Sequence, residues 1–369
     1  MKTEVRENAL IASLAASLPR SPRQLNSLQE SDAEFITLPG NSVLALTTDA
    51  IAEEIASGLY SDPWLAGWMS VMANFSDLAA VGAEPLGILL AETIPPLFPL
   101  EARMKLQQGI REACVACASY VLGGDTNAGE ALQITGTAVG CITDGRPLTR
   151  IGIHPGDLLF TTGHLGIGNA FAAAGLMGDR SSLPEYRPCA RLRQGRRLRS
   201  LATACMDTSD GALATLDQLA RLNGVGFTLV SNWEDLLDPV CRELAPALGI
   251  PPWVFLAGPH GEFELFFTLP AGTSRDRLDE LSSQIEGCVF VGRATDEAGI
   301  HLPGMGRFSP DDLALIRNLE TPRRGEVSRY LQNLLEIGHR AEVGHRIDKS
   351  VTDTAACSSI LDTDEQAKG

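Results

Sequence analysis

The sequence predicts an α/β fold divided into two domains, and three observations carry that prediction. Strand-like and helix-like segments alternate between about residues 25 and 145, the pattern of an α/β layer structure. A stretch rich in Pro and Gly, residues 146–166, then introduces a new strand and a second α/β block that runs to about residue 320. Finally, 369 residues are long for a single core, so two domains of ordinary size are expected.

The elements follow in order. Residues 1–24 read as an N-terminal helix and linker, with an amphipathic helix stopped by Pro19. A secretory leader is disfavoured there, because Glu4 and Glu7 occupy what should be a basic segment and Ser13 and Ser17 dilute the apolar run. Within the first domain, 25–145, "SVLALTTDA" (42–50) is a strand ending in polar residues and 62–83 is helical in period. "PLGILLAETIP" (85–95) is a strand, 101–120 a second long helix, and "ALQITGTAVGCIT" (131–143) a long strand. The second domain, 146–320, has strands at "DLLFTT", "GVGFTLV", "GEFELFFTLP" and "GCVFVGRAT". Residues 321–369 read as a helix over 326–343 followed by a polar, disordered tail, with little to bury beyond about residue 330.

Composition narrows the partners. A content of 44% hydrophobic and 21% charged residues is that of a globular protein whose core is built from small aliphatics, since only 5% are aromatic. The net charge of −16 argues against a duplex nucleic acid partner, which would need a basic footprint. It is compatible with an anionic small molecule when metal ions intervene. No run of about 18 apolar residues occurs, so no membrane span is expected. Eight cysteines lie scattered, and the single CxxC, Cys114 and Cys117, reads as one buried helical face. The cytoplasm is the expected compartment.

Acidic residues recur where strands or helices end: Asp49 in "ALTTDA", Asp77 in "NFSDLAA", Asp125 in "VLGGDTNAG", and Asp207 and Asp210 in "CMDTSDG". Singly, each reads as a helix cap or turn former. Gathered on one rim, they would make a hard-oxygen site suited to Mg²⁺, which is held by a few carboxylates plus substrate phosphates. Thr48, Thr126 and Ser209 would add hydroxyls, and the neighbouring glycines would admit a phosphate to the backbone. No P-loop or protein-kinase motif is present.

"NFSDLAAVGAEP", "GGDT", "LTRIGIHPGD", "MDTSDGALATLDQLARLNGVGF" and "GEFELFFTLP" stand in an order and spacing that resembles thiamine-monophosphate kinase, over roughly residues 8 to 300. The resemblance implies a PurM-like two-domain architecture, with an N-terminal α/β domain whose strands build a dimer-spanning barrel and a C-terminal α/β domain. It also implies a homodimer, a small-molecule substrate, and ATP held through Mg²⁺ ions. By the same resemblance the metal ligands are Asp32, Asp49, Asp77, Asp125 and Asp210. Gly124 and Thr126 line the phosphates together with Thr48 and Ser209, and Arg150 contacts ATP. Asp210, Asp125 and Arg150 are the implied catalytic set.

The family's substrate-facing motifs diverge. A metal-binding motif departs too, since the family's Gly-Asp-Asp is here Glu30-Ser31-Asp32 and one expected metal ligand is a serine. The Val-Glu-Gly-Val-His-Phe segment becomes "IAEEIAS", keeping Glu53 and adding Glu54. Gly-Gly-Glu-Asp-Tyr-Glu-Leu becomes "PHGEFEL", with His260 and Glu262. Glu53, His260 and Glu262 are therefore expected to face a more polar or cationic acceptor than thiamine monophosphate. The expected function is ATP- and Mg-dependent phosphoryl transfer to that acceptor. An ATP-dependent cyclo-ligase or dehydratase of the same superfamily, and a non-catalytic nucleotide-binding paralogue, remain the alternatives.

Overall fold

The computed structural model describes residues 3–40, 42–177, 183–323 and 325–342. The chain opens with helix α1 (Arg6–Ala16), then strands β1 (Glu34–Thr37) and β2 (Val43–Ala50). Helices α2 (Ala52–Ser57) and α3 (Pro63–Ala80), strand β3 (Glu84–Ile94), helix α4 (Leu100–Ala116) and strands β4 (Val121–Ala128) and β5 (Gln133–Ile142) follow. These strands form one sheet in the order β1-β2-β5-β3-β4. It is antiparallel except where β3 pairs with β4, and β4 is left as an edge exposed on both faces.

A second sheet takes the order β12-β11-β8-β10-β6-β9-β7. Its members are β6 (Leu158–Thr161), β7 (Ala204–Asp207), β8 (Gly226–Leu229), β9 (Leu265–Leu269), β10 (Val289–Thr295), β11 (Gly299–Leu302) and β12 (Gly306–Phe308). Between them come α5 (Ile167–Met177), α6 (Leu192–Leu198), α7 (Ala212–Asn223), α8 (Pro239–Leu248), α9 (Val254–Ala257) and α10 (Arg275–Gln284). Helices α11 (Pro310–Arg317) and α12 (327–342) follow β12.

Helix α3 is apolar nearly all round, which is the pattern of a helix buried on every side. Asp62 caps it, accepting from the Trp64 N–H at 3.2 Å, and Pro63 sits at its first position. It crosses α4 closely because glycines face each other's backbones. A Cβ on Gly67 would lie 2.1 Å from the Leu106 carbonyl, and one on Gly109 2.0 Å from that of Trp64. The same helix packs on β2, β3 and β5 of the first sheet and on β7 of the second, so it sits at the junction of both. One core gathers Trp68, Met69, Phe75 and Leu78 of α3 with Ile88, Ile134 and, from the second sheet, Leu265 and Phe267.

The structure corrects three expectations. Asp77 lies inside α3, three residues before its end, and not in a turn. "GGDT" is not a turn either, since it belongs to β4, where Asp125 pairs with Ala91 of β3. The chain past residue 330 buries a good deal: Leu334, Ile337 and Ala341 of α12 enter a second core with Trp253, Phe308 and Leu313. The tail from 343 onward lies outside the described residues.

Candidate functional site

The acidic residues converge where the two sheets meet across α3. Ligand oxygens of Asp32, Asp77 and Asp207 lie within 4.8 Å of one another. Asp32 precedes β1, Asp77 comes from α3, and Asp207 ends β7, so one carboxylate is supplied from each layer. Asp49, on β2, joins them through a side-chain contact with Asp77. Asp210 lies one turn beyond Asp207, exposed, and close enough for its charge to be felt at Asp49 and Asp207.

Hydroxyls brace this cluster. Ser76 donates to Asp207 at 2.6 Å and Ser209 donates to its other oxygen at 2.9 Å. Thr47 donates to Asp77. Thr48 instead donates to the Gly136 carbonyl at 2.7 Å, so within one chain its hydroxyl is engaged by the sheet. Arg150 is the cation of the group and donates to Asp32 at 2.9 Å, with its main chain tied to Glu30 and Asn223. Its own Nε and the Asp32 Oδ2 are buried without a partner.

The electrostatic consequence is direct. Burial raises Asp77 well above the ordinary carboxyl range, and the charges of Asp49, Asp207 and Asp32 push the same way. Burial, with Asp210 and Asp32, lifts Asp49 to about 6, and burial with Asp32 lifts Asp207 to about 7. Crowded carboxyls with one guanidinium among them hold more negative charge than the protein neutralises. A divalent cation is the natural complement, and the unpartnered Asp32 oxygen gives it a free ligand. The residues present therefore fit Mg²⁺.

The expected set is only partly brought together. Asp32, Asp49, Asp77 and Asp210 are joined, whereas Asp125 lies on the exposed edge strand β4 and accepts from Asn127 at 2.7 Å. Gly124 and Thr126 go with it, outside the cluster. Asp207 is the clustered carboxylate that sequence reasoning noticed as an acidic turn yet left out of the expected metal set; its position at a strand end beside Ser209 was the available signal. Ser31 is turned away from the cluster: its hydroxyl donates to the Ala33 carbonyl at 2.6 Å and accepts from Asn26 at 2.8 Å. Its replacement of an acid removes nothing from the three-carboxylate core.

The three expected acceptor contacts are dispersed as well. Glu53 is exposed on α2, beside Glu54 and in electrostatic reach of Glu7 on α1. His260 is buried between α5, α9 and α12, in an apolar crevice with Ala172, Val254 and Tyr330, and its Nε2 has no partner. Burial lowers it to about 4, so it is a neutral imidazole. Glu262 is buried near the start of α5, where it accepts from the Gly166 N–H at 2.7 Å.

Known proteins resemble this chain in sequence and in fold. Residues 30–142 match the family model "AIR synthase related protein, N-terminal domain". The thiamine-monophosphate kinase of Methanospirillum hungatei is 33% identical over 279 residues, covering 74% of this chain and 89% of that protein. The Salmonella typhimurium thiamine-monophosphate kinase is 28% identical over 289 residues, covering 70% and 85% respectively. Among solved structures, the thiamine-monophosphate kinase of Stenotrophomonas maltophilia superposes with a TM-score of 0.61 at 25% identity, over 81% of this chain and 94% of that one. The hydrogenase maturation protein HypE of Escherichia coli shares the fold, with a TM-score of 0.59 at 21% identity over 76% and 85%.

Proposed function

Because the chain belongs to the thiamine-monophosphate kinase family, we propose that it transfers the γ-phosphoryl group of ATP to a small polar metabolite other than thiamine monophosphate. The observation that carries the kinase reading is the convergence of Asp32, Asp49, Asp77, Asp207 and Asp210 around one arginine. Bound there, Mg²⁺ would neutralise phosphate charge and hold the reacting groups in line. Asp32, Asp77 and Asp207 would hold it, with Asp49 and Asp210 beside them.

The protein's own groups do the positioning. Arg150, stiffened by its bond to Asp32 and its main-chain ties, offers a fixed guanidinium for phosphate oxygens. Ser76 and Ser209 keep the Asp207 carboxylate oriented. Asp210, at the exposed rim, is placed to meet an acceptor arriving from solvent. No side chain need act as a covalent nucleophile. A non-catalytic nucleotide-binding paralogue is the alternative that Ser31 in place of an acid would support, whereas the three carboxylates that gather beside it support the kinase.

A different acceptor is supported by Glu53 and Glu54 on α2, where the family's His and Phe are missing. A site carrying such groups leaves them unpaired against the wrong ligand, which discriminates strongly. The same reading makes the working unit a homodimer in which the exposed edge strand β4 pairs with a second copy, bringing Gly124, Asp125 and Thr126 into use. The cytoplasm is the compartment this chemistry implies.

The test is phosphorus NMR of reactions containing the protein, Mg-ATP and a panel of acceptors that includes thiamine monophosphate. ADP with a new phosphorylated product, and no thiamine diphosphate, is expected. Robust formation of thiamine diphosphate overturns the acceptor claim.

A further inference from the structure

Beside the acidic cluster lies a cleft of about 600 Å³ bounded by the loop after β6, the segment before α6 and the residues leading into β9. Strands β6 and β7 both pair antiparallel with β9, so they run the same way and their carboxyl ends share one rim. Asp207 ends β7 on that rim. Its neighbour Thr208 donates its N–H to the Glu264 carbonyl at 2.8 Å and accepts the Glu264 N–H on its hydroxyl at 3.0 Å. The cleft wall is therefore bonded to the residue adjoining a metal-site carboxylate.

The polar groups of the wall are unequally satisfied. Arg191 donates to Glu264 through Nε at 2.7 Å and again through Nη2, and Thr162 donates to the same carboxylate at 2.5 Å. Tyr186 donates to the Gly261 carbonyl at 2.7 Å. Arg187 lies over Trp68, 4.2 Å from the ring centroid, and pairs with Glu112. Glu262 is the exception. It is 4% exposed and lines the cleft, Oε2 accepts from Gly166, and Oε1 has no partner. A buried oxygen left so in a wall whose other buried polar side chains are bonded is the place where a ligand's polar group belongs. Glu185 and Glu286 stand exposed at the mouth beside half-buried Asp238, and the exposed Arg187 there is paired with Glu112, which leaves the entrance negative.

We propose that this cleft is the acceptor pocket and that it takes a small molecule bearing a primary ammonium, seated on Glu262 behind the acidic mouth. The acceptor role rests on the kinase reading above; the binding does not. Burial lifts the free Glu262 to about 8, against the pull of the Gly166 N–H and the Thr208 side chain. An ammonium donating to Oε1 favours the carboxylate, so binding near neutrality expels the Glu262 proton to solvent. Glu264 is already held by Arg191, and Tyr186 by Gly261, so neither takes up that proton.

The experiment is titration calorimetry of the full chain in EDTA without nucleotide, using primary amino alcohols of rising size from ethanolamine upward. Isosteric diols and hydroxy acids serve as controls. The amino alcohols should bind at least about tenfold more tightly than either control, and Glu262→Gln should lose about that factor. Paired buffers of different ionisation enthalpy should report proton release in the wild type and none in Glu262→Gln. The double variant Glu185→Gln/Glu286→Gln, at exposed positions, should weaken binding without altering the circular dichroism spectrum. Equal binding of amines and diols, or undiminished amine binding by a folded Glu262→Gln, overturns the pocket. Amine binding with no ADP formation on adding Mg-ATP keeps the pocket and removes the kinase reading. ADP formation on a non-amine acceptor, with no amine bound, does the reverse.

Discussion

Asp77 and His260 show two ways in which a buried titratable group is tolerated. Burial raises the pKa of Asp77 and the charges of Asp49, Asp207 and Asp32 add to it, so the metal-free protein carries a standing electrostatic strain there. Asp77→Asn keeps a partner for Thr47 and relieves that strain. It should raise the stability of the EDTA-treated protein by about 1 kcal/mol, as thermal unfolding would measure, while abolishing the stabilisation that Mg-ATP gives the wild type. A variant less stable than wild type in EDTA would contradict the crowding argument. His260 is instead buried neutral. Its folded value of about 4 lies below the ordinary 6.5, so the unfolded chain takes up the proton first as pH falls. Stability is therefore fully present above about 6.5 and declines down to about 4. The slope approaches about 1.4 kcal/mol per pH unit, about 3 kcal/mol in all. Denaturant titrations at several pH values should show His260→Gln losing less stability than wild type over that window.

At the scale of elements, what the sequence made legible was what periodicity carries. Helix α3, helix α4 and strands β2, β3 and β5 stand where alternation and apolar runs put them, within a few residues. Strand β4 was missed because "GGDT" has turn composition. Only the pairing partner makes it a strand: Gly124 lies against Leu90, where a Cβ would approach that carbonyl to 1.8 Å. Asp207 was underrated for a similar reason, since its proximity to Asp32 and Asp77 is a tertiary fact with no local mark. The burial of α12 was hidden by the polar residues among its core positions. Leu334, 0% exposed, anchors that helix, and Leu334→Ala should cost about 2–4 kcal/mol in denaturant unfolding. A chain ended at residue 330 loses Leu334, Ile337 and Ala341 together and should melt with a broadened, weakened transition. A truncated chain as stable as the full one would show that α12 is dispensable.

At the scale of the whole molecule, the single chain leaves an apolar face open. Leu122 of β4, Tyr120 just before it and Leu89 of the neighbouring β3 are exposed at a strand edge unpaired among the described residues, and Leu97 and Met104 are exposed as well. Unpaired edges of this kind are normally covered. Covering by a second copy about a two-fold axis predicts a light-scattering mass twice the 39.3 kDa of one chain, and Leu122→Glu should shift it toward the monomer. A monomeric wild type at micromolar concentration would count against that arrangement. The central claim, that the clustered carboxylates form a metal-dependent nucleotide site, is tested most directly by calorimetric titration of ATP into the protein with Mg²⁺ and with EDTA. The account predicts binding with Mg²⁺ that disappears in EDTA and in Asp77→Asn and Asp207→Asn. ATP binding of equal affinity in EDTA would contradict it.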